Sequence, residues 1–111
     1  MNKRRLIILA FSFVFLALII GGFLYWYSEQ LAEQKLQDYI GRLEDLGFIT
    51  EERSLASFDV DGVVRTHFFG DFRSFANQEG INHIYFDRRI HGLYFLNPVG
   101  DRVEANVFYY R

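Results

Sequence analysis

Residues 6–27 read LIILAFSFVFLALIIGGFLYWY, a run without one charged side chain. A helix needs about 20 consecutive apolar residues to cross the roughly 30 Å of hydrocarbon in a bilayer. The run meets that length and therefore predicts a transmembrane helix. A cleaved signal peptide is the main alternative, but its apolar region spans only about 7–15 residues and ends in small residues. The run in this chain is longer than that and ends in large aromatic residues, which favours an uncleaved signal anchor.

The flanks of this run predict its orientation. Residues 1–5 form a short tail in which Lys3, Arg4 and Arg5 are basic, whereas the first charged residue beyond the run is Glu29. Basic residues are retained on the cytoplasmic side of single spans. The N-terminus is therefore expected in the cytoplasm of a cell membrane, and the C-terminal part outside it. Aromatic rings favour the membrane–water boundary, so Tyr25, Trp26 and Tyr27 are expected at the outer interface.

Small residues recur along one face of the predicted membrane helix. Ala10, Val14, Ala17 and Gly21 share this face at helical spacing. Small side chains let two helix backbones approach closely in lipid. This face is a candidate site for self-association or for contact with another membrane subunit.

Residues 28–47 predict a stalk helix that continues from the membrane helix. The segment is rich in good helix formers and has no proline, and Gly47 supplies a stop. Its apolar residues form one stripe at three- and four-residue spacing, made of Leu36, Tyr39, Ile40, Leu43 and Leu46. Packing against the chain's own sheet is the favoured interpretation, and pairing with a second helix is the alternative.

Residues 48–111 predict a small extracytoplasmic α+β domain. We expect strands at 55–60 and 63–69 joined by a hairpin at Asp61–Gly62, because Asp-Gly between strands is a strong hairpin signal. A short helix is expected next, capped by Asp71, with Phe72, Phe75 and Ala76 facing inward and Gly80 ending it. Further strands are expected at 81–86, 90–96 and 102–110, with a turn at 97–100. The predicted fold is a mainly antiparallel sheet with the stalk helix across one face.

Composition narrows the function classes. The chain has 111 residues, no cysteine and a formal net charge of -2, which disfavours thiol chemistry and gives no basic field for nucleic acid. Its 13 Phe and 7 Tyr can supply core area or a docking surface. His67, His83 and His91 lack metal-ligand spacing, and residues 59–62 (DVDG) lack the later ligands of a calcium loop. No nucleophile elbow or phosphate loop occurs.

These patterns predict a single-pass, non-enzymatic interaction protein without a cofactor. Its expected partners are the lipid bilayer and either other membrane subunits or a second copy of itself. The alternatives are an extracytoplasmic ligand-binding or sensor module and, less favoured by the missing motifs, a membrane-bound enzyme that uses His and Asp side chains.

Overall fold

A computed structural model describes residues 2–111. In chain order the elements are α1 (Lys3–Asp45), β1 (Ile49–Glu52), a 3₁₀ turn (Leu55–Ser57), β2 (Gly62–Thr66), α2 (Phe69–Gln78), β3 (His83–Asp87), β4 (Gly92–Val99) and β5 (Arg102–Tyr109). A long N-terminal helix followed by a five-stranded sheet and one short helix confirms the predicted α+β class. The chain divides into two compact units, one ending at Glu33 and the other beginning at Gln34.

Helix α1 is continuous through the predicted membrane and stalk segments. Its end is a Schellman motif, in which two backbone N–H groups close the last turn on carbonyls that the helix leaves unpaired. Phe48 donates to the carbonyl of Leu43 at 3.0 Å, and Gly47 donates to that of Glu44 at 3.0 Å. Gly47 has a φ of 91°, a conformation that glycine adopts without steric cost. The predicted stop at Gly47 is confirmed.

The sheet is mixed rather than mainly antiparallel, with the strand order β1-β3-β4-β5-β2. Strand β4 pairs antiparallel with β3 and β5, whereas the edge strands pair parallel, β1 with β3 and β2 with β5. Parallel neighbours cannot be joined by hairpins. Between the parallel neighbours β1 and β3, the chain crosses the sheet through the segment 53–61 to reach β2 and returns through α2.

The predicted hairpin at Asp61–Gly62 is wrong. The segment 53–61, here called the crossover, contains the 3₁₀ turn instead of a strand, and β2 lies at the sheet edge opposite β1. Asp61 does not close a tight turn. Its backbone N–H donates to the carbonyl of Val103 at 2.8 Å, and its carboxylate accepts from the Val103 N–H at 2.7 Å. The acidic side chain thus fixes the start of β2 beside β5.

Two further expectations are corrected. Residues 97–99 of the expected turn lie inside β4, where Pro98 pairs with Val103, and only Gly100 lies in the turn that leads to β5. Strand β3 pairs β4 only from Gly92 to Tyr94, so Pro98 lies where β4 has one neighbour and its missing N–H breaks no bond on the other side. Helix α2 begins at Phe69, and Asp71 lies in its first turn instead of capping it. The sequence patterns do not predict strand β1.

The first face of the sheet packs against the end of α1 and against α2. Aromatic rings dominate this layer: Phe72 lies 5.1 Å from Phe95 and 6.1 Å from Phe108, centroid to centroid. Phe72 and Ala76 are fully buried, as predicted. Phe75, also expected inside, is half-buried with its ring 5.7 Å from Phe95.

The second face of the sheet is covered by the crossover. The buried residues Tyr94, Ala105 and Val107 form its centre, and the residues packed around them are Leu55, Phe58, Val60, Tyr85, Ile90, Leu96 and Tyr109. Ala105, Val107 and Tyr109, at every second position, therefore lie on one face of β5. Two hydrogen bonds hold the crossover down. The Tyr94 hydroxyl donates to the carbonyl of Arg53 at 2.7 Å, and Asp87, only 5% exposed, accepts from the Leu55 N–H at 3.0 Å.

Burial raises the pKa of Tyr94 above its ordinary value of about 10, and the negative charge of Asp87 raises this pKa further. The folded protein therefore keeps the phenol proton at a pH where the unfolded chain loses it. Stability that depends on this proton is complete below pH ~10 and is lost as the pH rises toward the folded pKa, by about 1.4 kcal/mol per pH unit.

We expect the full chain in detergent to lose unfolding free energy more steeply above pH ~10 than the Tyr94→Phe variant, which has no proton to lose there. Urea unfolding followed by near-ultraviolet circular dichroism at several pH values measures both slopes. Equal slopes in the two proteins would contradict the buried-phenol assignment.

Candidate interaction surfaces

The predicted membrane helix exposes its whole circumference. Every residue from Leu6 to Tyr27 is exposed, including Phe13 at 79% and Phe11 at 72%. Soluble monomers rarely expose a contiguous apolar surface of this size. Helix α1 is long and apolar enough to cross a membrane, and it is compatible with a transmembrane or signal-anchor role.

The small-residue face lies on this exposed helix. Ala10, Val14, Ala17 and Gly21 are all exposed. Nothing lies within 4 Å of a Cβ built on Gly21, so the backbone there is open to an approaching helix.

The basic residues Lys3, Arg4 and Arg5 lie in the first turn of α1. The rings of Trp26 and Tyr27 lie within 6.3 Å of Phe23, and Tyr25 is 69% exposed.

The stalk stripe lies in the domain's own core. Leu36 and Leu43 are fully buried and Ile40 is 9% exposed. The ring of Tyr39 lies 4.6 Å from Phe69 at the start of α2. Packing within the chain, the favoured interpretation of the stripe, therefore accounts for these residues. Leu46, the last residue of the predicted stripe, is 55% exposed, because α1 ends at Asp45.

An open cleft lies between the last turns of α1 and the first turns of α2. It has a volume of 540 Å³, and its walls are formed by Tyr39, Arg42, Asp45, Leu46, Phe69, Gly70 and Arg73. Arg42 also lies 3.1 Å from Asp38 in an exposed ion pair. Exposed ion pairs contribute little to the free energy of folding, and their side chains separate readily in water. The Arg42 guanidinium therefore remains accessible to a ligand.

A second cavity of 420 Å³ lies under the crossover. Leu55, Phe58, Val60 and Ile90 give it apolar walls, and Asp87 and Arg89 contribute polar groups. Both carboxylate oxygens of Asp87 are engaged by backbone N–H groups, those of Leu55 and Arg89, each at 3.0 Å. This carboxylate therefore serves to fix the crossover and the β3–β4 turn.

The two edges of the sheet differ in chemistry. On β1, Glu51 lies 3.1 Å from His83 and Glu52 lies 2.6 Å from Arg88, so charges line that edge. On β2, Val63 is 53% exposed and Val64 is 44% exposed. The sequence predicts a strand at these valines but within a hairpin, so it does not predict that this strand is an edge. A strand pattern alone does not tell an edge from an interior position.

The histidines have separate surroundings. Within residues 2–111, no cluster of three or more His, Asp or Glu side chains is placed to hold a metal ion. His83 contacts Glu51, and Nε2 of His91 lies 3.0 Å from Arg111. The structure therefore does not bring His67, His83 and His91 together as a metal triad.

Comparison with protein-family models, curated proteins and solved structures finds no match to this chain. The class of the protein is therefore defined by its own structure. It is a small α+β domain, preceded by one helix of membrane-spanning length.

We expect Leu43→Ala to lower the free energy of unfolding by about 2–5 kcal/mol, because it opens a cavity in the core. The matched change Leu46→Ala, on an exposed leucine three residues away, is expected to stay within about 0.5 kcal/mol. Urea unfolding of the full chain in detergent measures both. Similar values would mean that Leu43 is not a core residue of the isolated chain.

Proposed function

We propose that this chain is a single-pass membrane protein whose role is non-enzymatic, as an accessory or assembly subunit that binds another membrane protein or a second copy of itself. The observation that carries the proposal is the uncovered helix from Leu6 to Tyr27, joined to a domain that completes its core from its own residues. Such a helix requires lipid or other helices around it.

The charge asymmetry around the span supports one orientation. Lys3, Arg4 and Arg5 stay on the cytoplasmic side under the positive-inside rule, which leaves the α+β domain outside the cytoplasm.

The polar groups of the domain support a binding role rather than catalysis. Buried Asp87, Tyr94 and Asn106 each form a hydrogen bond within the domain, to Leu55, Arg53 and Thr66 respectively. These groups stabilise the fold. Arg42 and Arg73 of the cleft lie at the surface, where they suit recognition of a partner or ligand.

In native membranes we expect the chain to resist alkaline extraction and to form a specific crosslink through the small-residue face. A photoreactive residue at Ala17 should give a discrete protein adduct, whereas one at Phe15, on the opposite side of the helix, should react mainly with lipid. Gel analysis and mass spectrometry of the adducts identify the partner. Release by alkali, or equal adducts at both positions together with a purely monomeric purified chain, would refute the proposal.

The cleft between α1 and α2 favours a second function, the binding of a small acid with an apolar body. Arg42 and Arg73 outnumber the single carboxylate of Asp45, and the rings of Tyr39 and Phe69 give an apolar wall. Guanidinium groups bind carboxylate, sulfonate and phosphate oxygens through paired hydrogen bonds.

Naphthalene-2-sulfonate is a suitable probe for this cleft. We expect its saturation-transfer NMR signal with the full chain to fall several-fold on Arg73→Gln, which removes the charge, while Arg102→Gln at an exposed site outside the cleft leaves it unchanged. Gly70→Leu should abolish the signal without harming the fold, because nothing lies within 4 Å of a Cβ built there. Equal signals from all four proteins would exclude the cleft as a binding site.

A further inference from the structure

The edge strand β2 exposes two valines and has a neighbouring strand on one side only. It is one of two edges in the sheet, and its five residues pair continuously with β5 without a bulge, include no proline and carry one charge, that of Arg65. Strand β1 is shorter, with four residues, and its two glutamates are paired with His83 and Arg88. Because its valines are exposed and its outer backbone has no neighbouring strand, β2 is better suited than β1 to pair with another strand.

Charge on β2 is arranged so that the strand complements itself. Asp61, Val63 and Arg65 fall on one face by the two-residue alternation of a strand. All three are exposed, and the guanidinium of Arg65 lies 5.3 Å from the ring of Tyr109 on the neighbouring strand. When two copies pair antiparallel about Val63, Asp61 of each lies opposite Arg65 of the other. Cross-strand pairs of opposite charge stabilise such pairing.

Other registers lose this complementarity. Pairing about Val64 places Val63 opposite Arg65 of the second copy and leaves Asp61 outside the paired stretch. Pairing about Arg65 places two like charges face to face, which is destabilising. The register about Val63 also joins the two valines in an apolar contact at the two-fold axis of the symmetric pair.

We propose that β2 is a self-association edge, through which a second copy of this chain pairs antiparallel in the register centred on Val63. The inference rests on the proposed function and specifies one of its partners. A contact between two five-residue edges is small compared with stable interfaces, which bury about 800 Å² per partner. Anchoring both copies in one membrane raises their effective concentration and compensates for the small contact.

The absence of cysteine from the chain allows a position-specific test. Full-length Val63→Cys, Val64→Cys and Ile49→Cys proteins are oxidised in membranes and analysed on non-reducing gels. Directly opposed residues lie within disulfide range, whereas Val64 and its copy are diagonal neighbours about 7–8 Å apart, too far to be bridged. Ile49, 56% exposed on the β1 edge, is the matched control.

We expect at least about tenfold more disulfide dimer from Val63→Cys than from either control. Crosslinking of Val63→Cys at the level of Ile49→Cys would overturn the inference, and so would equal crosslinking at positions 63 and 64. Retention of the chain in membranes after alkaline extraction, tested in parallel, separates these outcomes from failure of the proposed function. A crosslinked membrane partner without the Val63 dimer would overturn self-pairing alone.

A charge swap tests the register. Adding Arg65→Glu to Val63→Cys places two carboxylates opposite each other, and the dimer yield is expected to fall several-fold. Further addition of Asp61→Lys restores opposite charges and the yield. Because Asp61 accepts a hydrogen bond from Val103, Asp61→Asn, which keeps an acceptor oxygen, serves as a second rescue. No recovery in either rescued protein, with an unchanged near-ultraviolet spectrum, would overturn the pairing.

Discussion

The placement of the crossover over the second face of the sheet is the constraint on which the rest of the domain depends. Strands β1 and β2 lie at opposite edges, so the segment between them must traverse the sheet. Its three side chains Leu55, Phe58 and Val60 bury Tyr94 and Val107 as they cross. Without this cover, the middle strands would present an aromatic face to water, which a small domain with a modest core tolerates poorly.

Polar bonds make the path of the crossover unique. The hydrophobic effect is non-directional, so a segment that followed a different path across the sheet could bury the same side chains. The Tyr94 hydroxyl and the Asp87 carboxylate bind backbone groups of Arg53 and Leu55 near the start of the traverse, and the Asp61 carboxylate binds the Val103 N–H at its end. A buried carboxylate or phenol that lacks its partner is costly, so the bonds of Asp87 and Tyr94 favour one arrangement over its neighbours.

Both proposed contact regions follow from this architecture. The crossover delivers the chain to the far edge, which leaves β2 paired on one side only. Helix α1 contributes Leu36 and Leu43 to the core of the domain, while its N-terminal part remains apolar and exposed. The edge strand β2 and the exposed apolar part of α1 are the two regions on which the proposed contacts rest.

Local signals predicted the elements whose structure depends on neighbouring residues alone. Gly47 and Gly80 end α1 and α2 as expected, because the motif at a helix C-terminus is formed within six residues. The inward positions of Phe72 and Ala76 follow from helical spacing. The hairpin prediction at Asp61–Gly62 is wrong because the Asp-Gly pattern is equally local, whereas the hydrogen-bond partner of Asp61 is Val103, more than forty residues away.

The sequence by itself determined the long apolar helix, its basic flank and the α+β class, since each depends on composition or on a short period along the chain. Only the tertiary structure decided the strand order, the parallel edges and the burial of the stalk stripe. It also assembled the cleft of Arg42 and Arg73 and placed β2 at an edge. These features depend on contacts between residues far apart in sequence, which no local pattern encodes.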